Sequence, residues 1–255
     1  YVPAIEYQEK PPRKWRRKVL DFLESKLDKI FLKKTMATSF NSVSDLVIRH
    51  YFKDLDDYYS ATIPAESGEA VPAKEVIRKR LYDVLYKFRN KKILLLAHSM
   101  GTIIAYEVLM ENQQKIFIDT FVTFGSPLGQ PIILRKFYEE LQKNLDLDHK
   151  PVVPDNIQSN WFNLSDLEDH IALNYNLNDD FEESSRKISV SDKVVYNNYV
   201  YERKRNPHKS YGYLRTPEMA EIIYQFLSRD RSRFTLWMES RWNEVMDKLW
   251  ARGKR

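Results

Sequence analysis

Cysteine is absent from the 255 residues. Its absence excludes disulfides, thiolate metal sites and a cysteine nucleophile, and it leaves the redox compartment open. No apolar run approaches the roughly 20 residues that a helical membrane span requires. No signal-peptide pattern is visible, and there is no internal repeat or low-complexity segment. The chain begins with Tyr1 and not Met, which leaves room for an upstream segment carrying targeting information. The compartment therefore stays unknown, with the cytoplasm as the default expectation. Charge of one sign is also lacking. Lys and Arg total 41 against 36 Asp and Glu, a net charge of +5. So mild an excess permits attraction to an anionic surface but does not call for a nucleic-acid partner. Much of it sits at the ends, in Lys10 to Lys18 and Arg252 to Arg255.

What is present reads as an α/β chain long enough to bury a core without staples. Residues 1–13, with Pro3, Pro11 and Pro12, are extended. From Trp15 onward, Val19, Phe22, Leu23, Leu27, Ile30 and Phe31 recur at helical spacing between charged residues. Asn41 to Tyr59 is aromatic-rich and suits a second helix. Residues 60–74, with Pro64, Gly68 and Pro72, read as a surface loop. Glu75 to Arg89 reads as a helix. At Lys92 the character changes. Ile93 to Leu96 is an unbroken apolar run, the pattern of a strand buried on both faces of a parallel sheet. A helix follows over Thr102 to Met110. Further strands fit Phe117 to Phe124, Ile157 to Leu164 and Val194 to Tyr201, the last for its β-branched and Tyr content. Thr216-Pro217-Glu218 has the form of a helix start. Strands alternating with helices predict a mostly parallel sheet flanked by helices. The expected organisation is a helical, cap-like part over 1–91, a core over 92–227 and an amphipathic helix over 228–255.

The segment that carries chemistry is Leu94-Leu95-Leu96-Ala97-His98-Ser99-Met100-Gly101-Thr102. A buried strand runs into a sharp turn, and a helix follows. Such a turn holds its central residue in strained geometry with the side chain above the sheet, and the small residues Ala97 and Gly101 are expected to let strand and helix pack closely. The helix N-terminus then points its free N–H groups and positive dipole end at Ser99. In this placement the segment resembles the nucleophile elbow of the α/β-hydrolase superfamily, and within it the lipase and esterase-like serine hydrolases. Ala97 stands where the first glycine of G-x-S-x-G usually falls. His98 is read as a packing residue, because neighbours on an elbow point in different directions.

The resemblance implies the α/β-hydrolase fold, Ser99 as nucleophile, and a triad in the chain order Ser, Asp or Glu, His. Of the histidines after the elbow helix, His208 stands between the fourth strand and the Thr216 helix, where the family places its base. His149 lies in a charged stretch, and His170 directly follows the third strand. The run Trp161-Phe162-Asn163-Leu164-Ser165-Asp166-Leu167-Glu168-Asp169-His170-Ile171 resembles a W-x-N-x-x-D-x-x-D pattern of lipase-like hydrolases. It points to Asp169 as the acid, with Asp166 as the alternative.

The family's oxyanion hole would use the backbone N–H of Met100 and a second donor from a loop after an early strand. That loop is often marked by His-Gly. Gly68 is the only glycine before the elbow, and nothing before Ser99 fits. The early strand is therefore expected upstream of Tyr1, or replaced by a divergent loop. The implied activity is hydrolysis of a carboxylic ester, from a small molecule or a lipid, with no metal or organic cofactor. The amphipathic ends, Arg13 to Lys34 and Phe234 to Trp250 with Trp237, Trp242 and Trp250, are read first as packing on the core or a protein partner, with a peripheral membrane contact as the alternative. The competing reading is a non-catalytic hydrolase fold used for membrane or protein binding.

Overall fold

The computed structural model describes residues 53–64, 69–130, 133–134, 150–169, 171–172, 174–201 and 203–229. The helix from Trp15, the segment 41–52, His149, His170 and the Trp-rich segment 234–250 lie outside the described residues. The chain divides into two compact units between Thr216 and Pro217.

In the first unit, helix α1 (Lys53–Ser60) leads into two short strands, β1 (Thr62–Pro64) and β2 (Ala70–Pro72), paired antiparallel. The surface loop expected over 60–74 is thus a small hairpin. Pro64 and Pro72 end its strands, positions where a missing N–H costs little. Helix α2 (Ala73–Lys87) follows and packs against helix α3 (Met100–Glu111).

The core is a four-stranded, all-parallel sheet of β3 (Leu94–His98), β4 (Ile118–Phe124), β5 (Ile157–Ser165) and β6 (Val190–Val194), in the order β3-β4-β5-β6. This is the parallel sheet with flanking helices that the alternating pattern predicts, and its arrangement is that of an α/β-hydrolase fold. Every residue of β4 is buried, as a central strand flanked on both sides requires. Its one charged residue, Asp119, accepts hydrogen bonds from the Thr120 and Ser159 hydroxyls at 2.7 and 3.0 Å. Trp161 on β5 is fully buried and packs on Phe121, Tyr106 and Phe181. Its indole N–H donates to Thr123 Oγ1 at 3.1 Å, so the ring is buried without an orphaned donor.

The fourth strand differs from expectation. The sheet takes Val190–Val194, whereas Val194 to Tyr201 was the expected strand. Within that stretch Val194 ends β6, and beyond it Val200–Tyr201 (β7) pairs antiparallel to Lys204–Arg205 (β8). The reason lies in Asp192, a residue that counts against a buried strand. Its carboxylate accepts the N–H groups of Leu177 and Asn178 and the Asn163 side-chain amide, at 2.8 to 3.0 Å. Tertiary hydrogen bonds thus offset a polar residue that local propensity disfavours.

In the sheet, His98 is level with Phe124, Phe124 with Leu164, and Ser165 with Val194. The carboxyl ends of the four strands therefore form one edge. Ser99, Gly125, Asp166 with Asp169, and Asn197 follow directly from it. Open α/β sheets place their sites at this edge. A short helix α4 (Ser210–Tyr213) ends the first unit. The second unit opens with α5 (Pro217–Ser228), where Pro217 takes the first helical position that suits its missing N–H.

Candidate active site

Ser99 sits between β3 and α3 with φ 53° and ψ −130°. A non-glycine residue held in the left-handed half of the map costs on the order of 1–3 kcal/mol, so its surroundings must hold it there. They do so through three hydrogen bonds. The Ser99 N–H donates to the Phe124 carbonyl at 3.2 Å. Its own carbonyl accepts the Thr102 N–H at 2.9 Å and the Thr102 hydroxyl at 2.7 Å. Because Thr102 spends its proton there, Ser126 donates to Thr102 Oγ1 at 2.9 Å. The backbone around Ser99 is thereby tied to the loop after β4. One expected constraint is absent. A Cβ added at Gly101 would meet nothing within 4 Å among the described residues, so crowding does not require glycine at that position.

His208 Nε2 stands 3.0 Å from Ser99 Oγ. On the other side of the ring, Nδ1 lies 3.0 and 2.9 Å from the two carboxylate oxygens of Asp169. A carboxylate only accepts, so Nδ1 carries the proton. That leaves the Nε2 lone pair facing the serine hydroxyl. The structure thus brings Ser99, His208 and Asp169 into one chain of hydrogen bonds. Such an arrangement can take a proton from the hydroxyl while stabilising the imidazolium that results.

Asp169 is almost fully buried. Burial pushes its carboxyl up, but the His208 hydrogen bond and charge, with donation from Tyr213 and the Ile171 N–H, outweigh this and hold it below the ordinary carboxylate range. Tyr213, also buried, donates its hydroxyl to Asp169 Oδ2 at 2.7 Å and accepts the Asp166 N–H at 3.0 Å. Burial, and then the Asp169 charge, push the Tyr213 phenol well above its usual value, so it remains a donor.

Asp166 does not take the place of Asp169 at His208. Its fully buried carboxylate accepts the N–H of Glu168 at 2.8 Å and of Asn197 at 2.7 Å, and it pairs with the Arg205 guanidinium. Burial raises its carboxyl against the pull of these three partners. His98 donates Nε2–H to the His208 carbonyl at 2.8 Å, and its ring packs near Phe124, His208 and Tyr213. Burial, and then the neighbouring His208, hold its imidazole below the usual histidine value. Met100 opens α3. Its N–H is one of the first four of the helix, which have no intrahelical acceptor.

Sequence reasoning missed four contributors. Tyr213 carries no motif. Asn197 falls inside the expected strand Val194 to Tyr201, and Arg205 carries no motif. Gly125 stands just past the expected strand Phe117 to Phe124, where a glycine reads as a turn residue. It has φ +55°, and a Cβ there would lie 3.1 Å from Asp169 Oδ2, 3.2 Å from His208 Nδ1 and 3.2 Å from His98 Nε2.

A parallel sheet with flanking helices, carrying a strained serine at the carboxyl edge, defines an α/β-hydrolase type of domain. Residues 26–201 match the PGAP1-like alpha/beta domain family, and the chain belongs to that family, whose domain is of hydrolase type. No curated protein and no solved structure matches the chain.

Proposed function

We propose that the protein is a serine esterase, with Ser99, His208 and Asp169 as its triad. The observation that carries this reading is the continuous chain Ser99 Oγ, His208 Nε2, His208 Nδ1, Asp169, with separations of 2.9 to 3.0 Å along it. Ser99 Oγ attacks the ester carbonyl carbon as its proton passes to His208 Nε2. The tetrahedral intermediate places its oxyanion toward the Met100 N–H at the helix N-terminus. As the carbon–oxygen ester bond breaks, His208 returns the proton to the departing alcohol, leaving an acyl group on Ser99. Water then repeats the sequence, with His208 as base, and releases the acid. Asp169 stays ionised throughout, fixing the tautomer and stabilising the imidazolium.

A carboxylic ester of a small molecule or a lipid is the substrate class. The basic, Trp-containing ends of the sequence favour one that is presented at a surface. The test is hydrolysis of a short-chain p-nitrophenyl ester by the wild type and by Ser99→Ala. Loss of a triad nucleophile removes on the order of 10⁶ in turnover. The reading predicts baseline rates for the variant with an unchanged circular dichroism spectrum. Wild-type rates in Ser99→Ala would overturn it.

A further inference from the structure

The chain leaves the sheet after β6 and must bring His208 back to Ser99. Among the described residues, the excursion from Val195 to Pro207 carries only the two-residue strands β7 and β8. A histidine at the end of such a loop keeps its place only if the loop is pinned, since a general base gains its rate from fixed geometry. Three consecutive carbonyls around it are held. The Asn197 side-chain amide donates one N–H to the Pro207 carbonyl at 2.7 Å and the other to the Lys209 carbonyl at 2.8 Å. The His208 carbonyl between them accepts His98 Nε2–H at 2.8 Å.

Asn197 is fully buried, and each of its polar groups is engaged. Its Oδ1 accepts the Tyr199 N–H at 3.1 Å, its N–H donates to Asp166 Oδ2 at 2.7 Å, and its carbonyl accepts Arg205 Nε–H at 2.8 Å. Gly212 backs the amide so closely that a Cβ there would fall 1.5 Å from Asn197 Oδ1.

We propose that Asn197 is the positioning residue for His208, its amide bridging Pro207 and Lys209 while His98 grips the carbonyl between them. In this arrangement Asp166 and Arg205 are the footing that orients Asn197. Asparagine is suited to the task because one planar amide supplies two diverging donors and an acceptor. Aspartate, of the same shape, would turn an acceptor toward the two carbonyls. The inference rests on the triad reading above.

The test uses the full chain, with p-nitrophenyl ester kinetics normalised to active sites by fluorophosphonate titration. Asn197→Asp and Asn197→Ala are expected to lose about 10²-fold in kcat, the scale of a roughly 1 Å misplacement, while KM stays near wild type. The low-field proton signal of His208 Nδ1–H should weaken with it. His98→Leu should lose kcat in the same manner, and His98→Gln, which keeps a terminal N–H at that reach, should recover most of it. This second pair decides the matter where the Asn197 variants do not fold. Folded Asn197 variants with wild-type kcat, or equal rates for His98→Gln and His98→Leu, would overturn the proposal. A wild type that neither hydrolyses the ester nor reacts with the fluorophosphonate would instead overturn the triad reading beneath it.

Discussion

Replacing Gly125 by alanine is a sharp probe, because one methyl group presses on both the fold and the chemistry. Gly125 adopts φ +55°, where an L-residue other than glycine loses roughly 1–2 kcal/mol. The new Cβ would also stand 3.1 to 3.2 Å from Asp169 Oδ2, His208 Nδ1 and His98 Nε2. Comfortable non-bonded contacts begin near about 3.5 Å, so each neighbour must yield a few tenths of an ångström. The stability cost is then on the order of 2 kcal/mol. For a domain of this size, each kcal/mol lowers Tm by about 2–4 °C, giving a fall of about 4–8 °C. The rate should fall as well. The displaced atoms are those of the 2.9 Å His208–Asp169 contact, and a misplacement of about 1 Å costs on the order of 10²-fold. A loss of about tenfold in kcat/KM per active site is expected. The assay pairs a thermal melt with ester hydrolysis normalised by fluorophosphonate titration. A wild-type rate in folded Gly125→Ala would refute the claim that this carboxylate and imidazole drive the reaction.

Asp169→Asn should lower turnover by about 10⁴-fold, because the amide favours the wrong His208 tautomer. Asp166→Asn should act chiefly on stability, by about 3 kcal/mol, through the buried partner it withdraws from Arg205. Equal turnover losses per folded molecule would reverse these assignments. Tyr213→Phe removes the donor to Asp169 Oδ2 and the acceptor for the Asp166 N–H. A stability loss of about 1–3 kcal/mol is expected by denaturant titration, with a fall in kcat, and no change in either would show that these bonds are idle. Stability should also depend on pH through His98. Its folded value is depressed below 6.5, so its contribution is complete above pH 6.5 and is lost as the pH falls through the folded value. Tm measured between pH 8 and pH 5 should drop more steeply in the wild type than in His98→Gln, and parallel curves would contradict this.

The parts of this molecule legible in sequence are those where local pattern and tertiary role agree. Phe121 and Val122 are apolar because both faces of β4 are covered, whereas the apolar run Leu94 to Ala97 forms the end strand of the sheet and leaves Leu96 exposed. The turn at Ser99 stands out because a strand, a small-residue turn and a helix follow in register. β6 was displaced because Asp192 is stabilised by Leu177, Asn178 and Asn163, partners distant in sequence. The β1–β2 hairpin was hidden by its prolines. The surroundings of His208 were opaque for a different reason. Asn197 falls inside an expected strand, Arg205 and Tyr213 carry no motif, and only the folded chain buries Asn197 and Tyr213 and pairs Arg205 with Asp166. Asp166 and Asp169 are three residues apart with similar neighbours. What separates them is which carboxylate faces the imidazole and which faces the guanidinium.

The most direct measurement of the central claim is the site of fluorophosphonate attachment. The wild-type chain is incubated with the reagent at neutral pH, digested, and its peptides weighed and fragmented. Activation of one serine by His208 and Asp169 predicts a single adduct on Ser99, absent after heat denaturation and absent in Ser99→Ala and His208→Ala. An unlabelled Ser99 in folded protein, or an adduct on another residue that survives in Ser99→Ala, would contradict it.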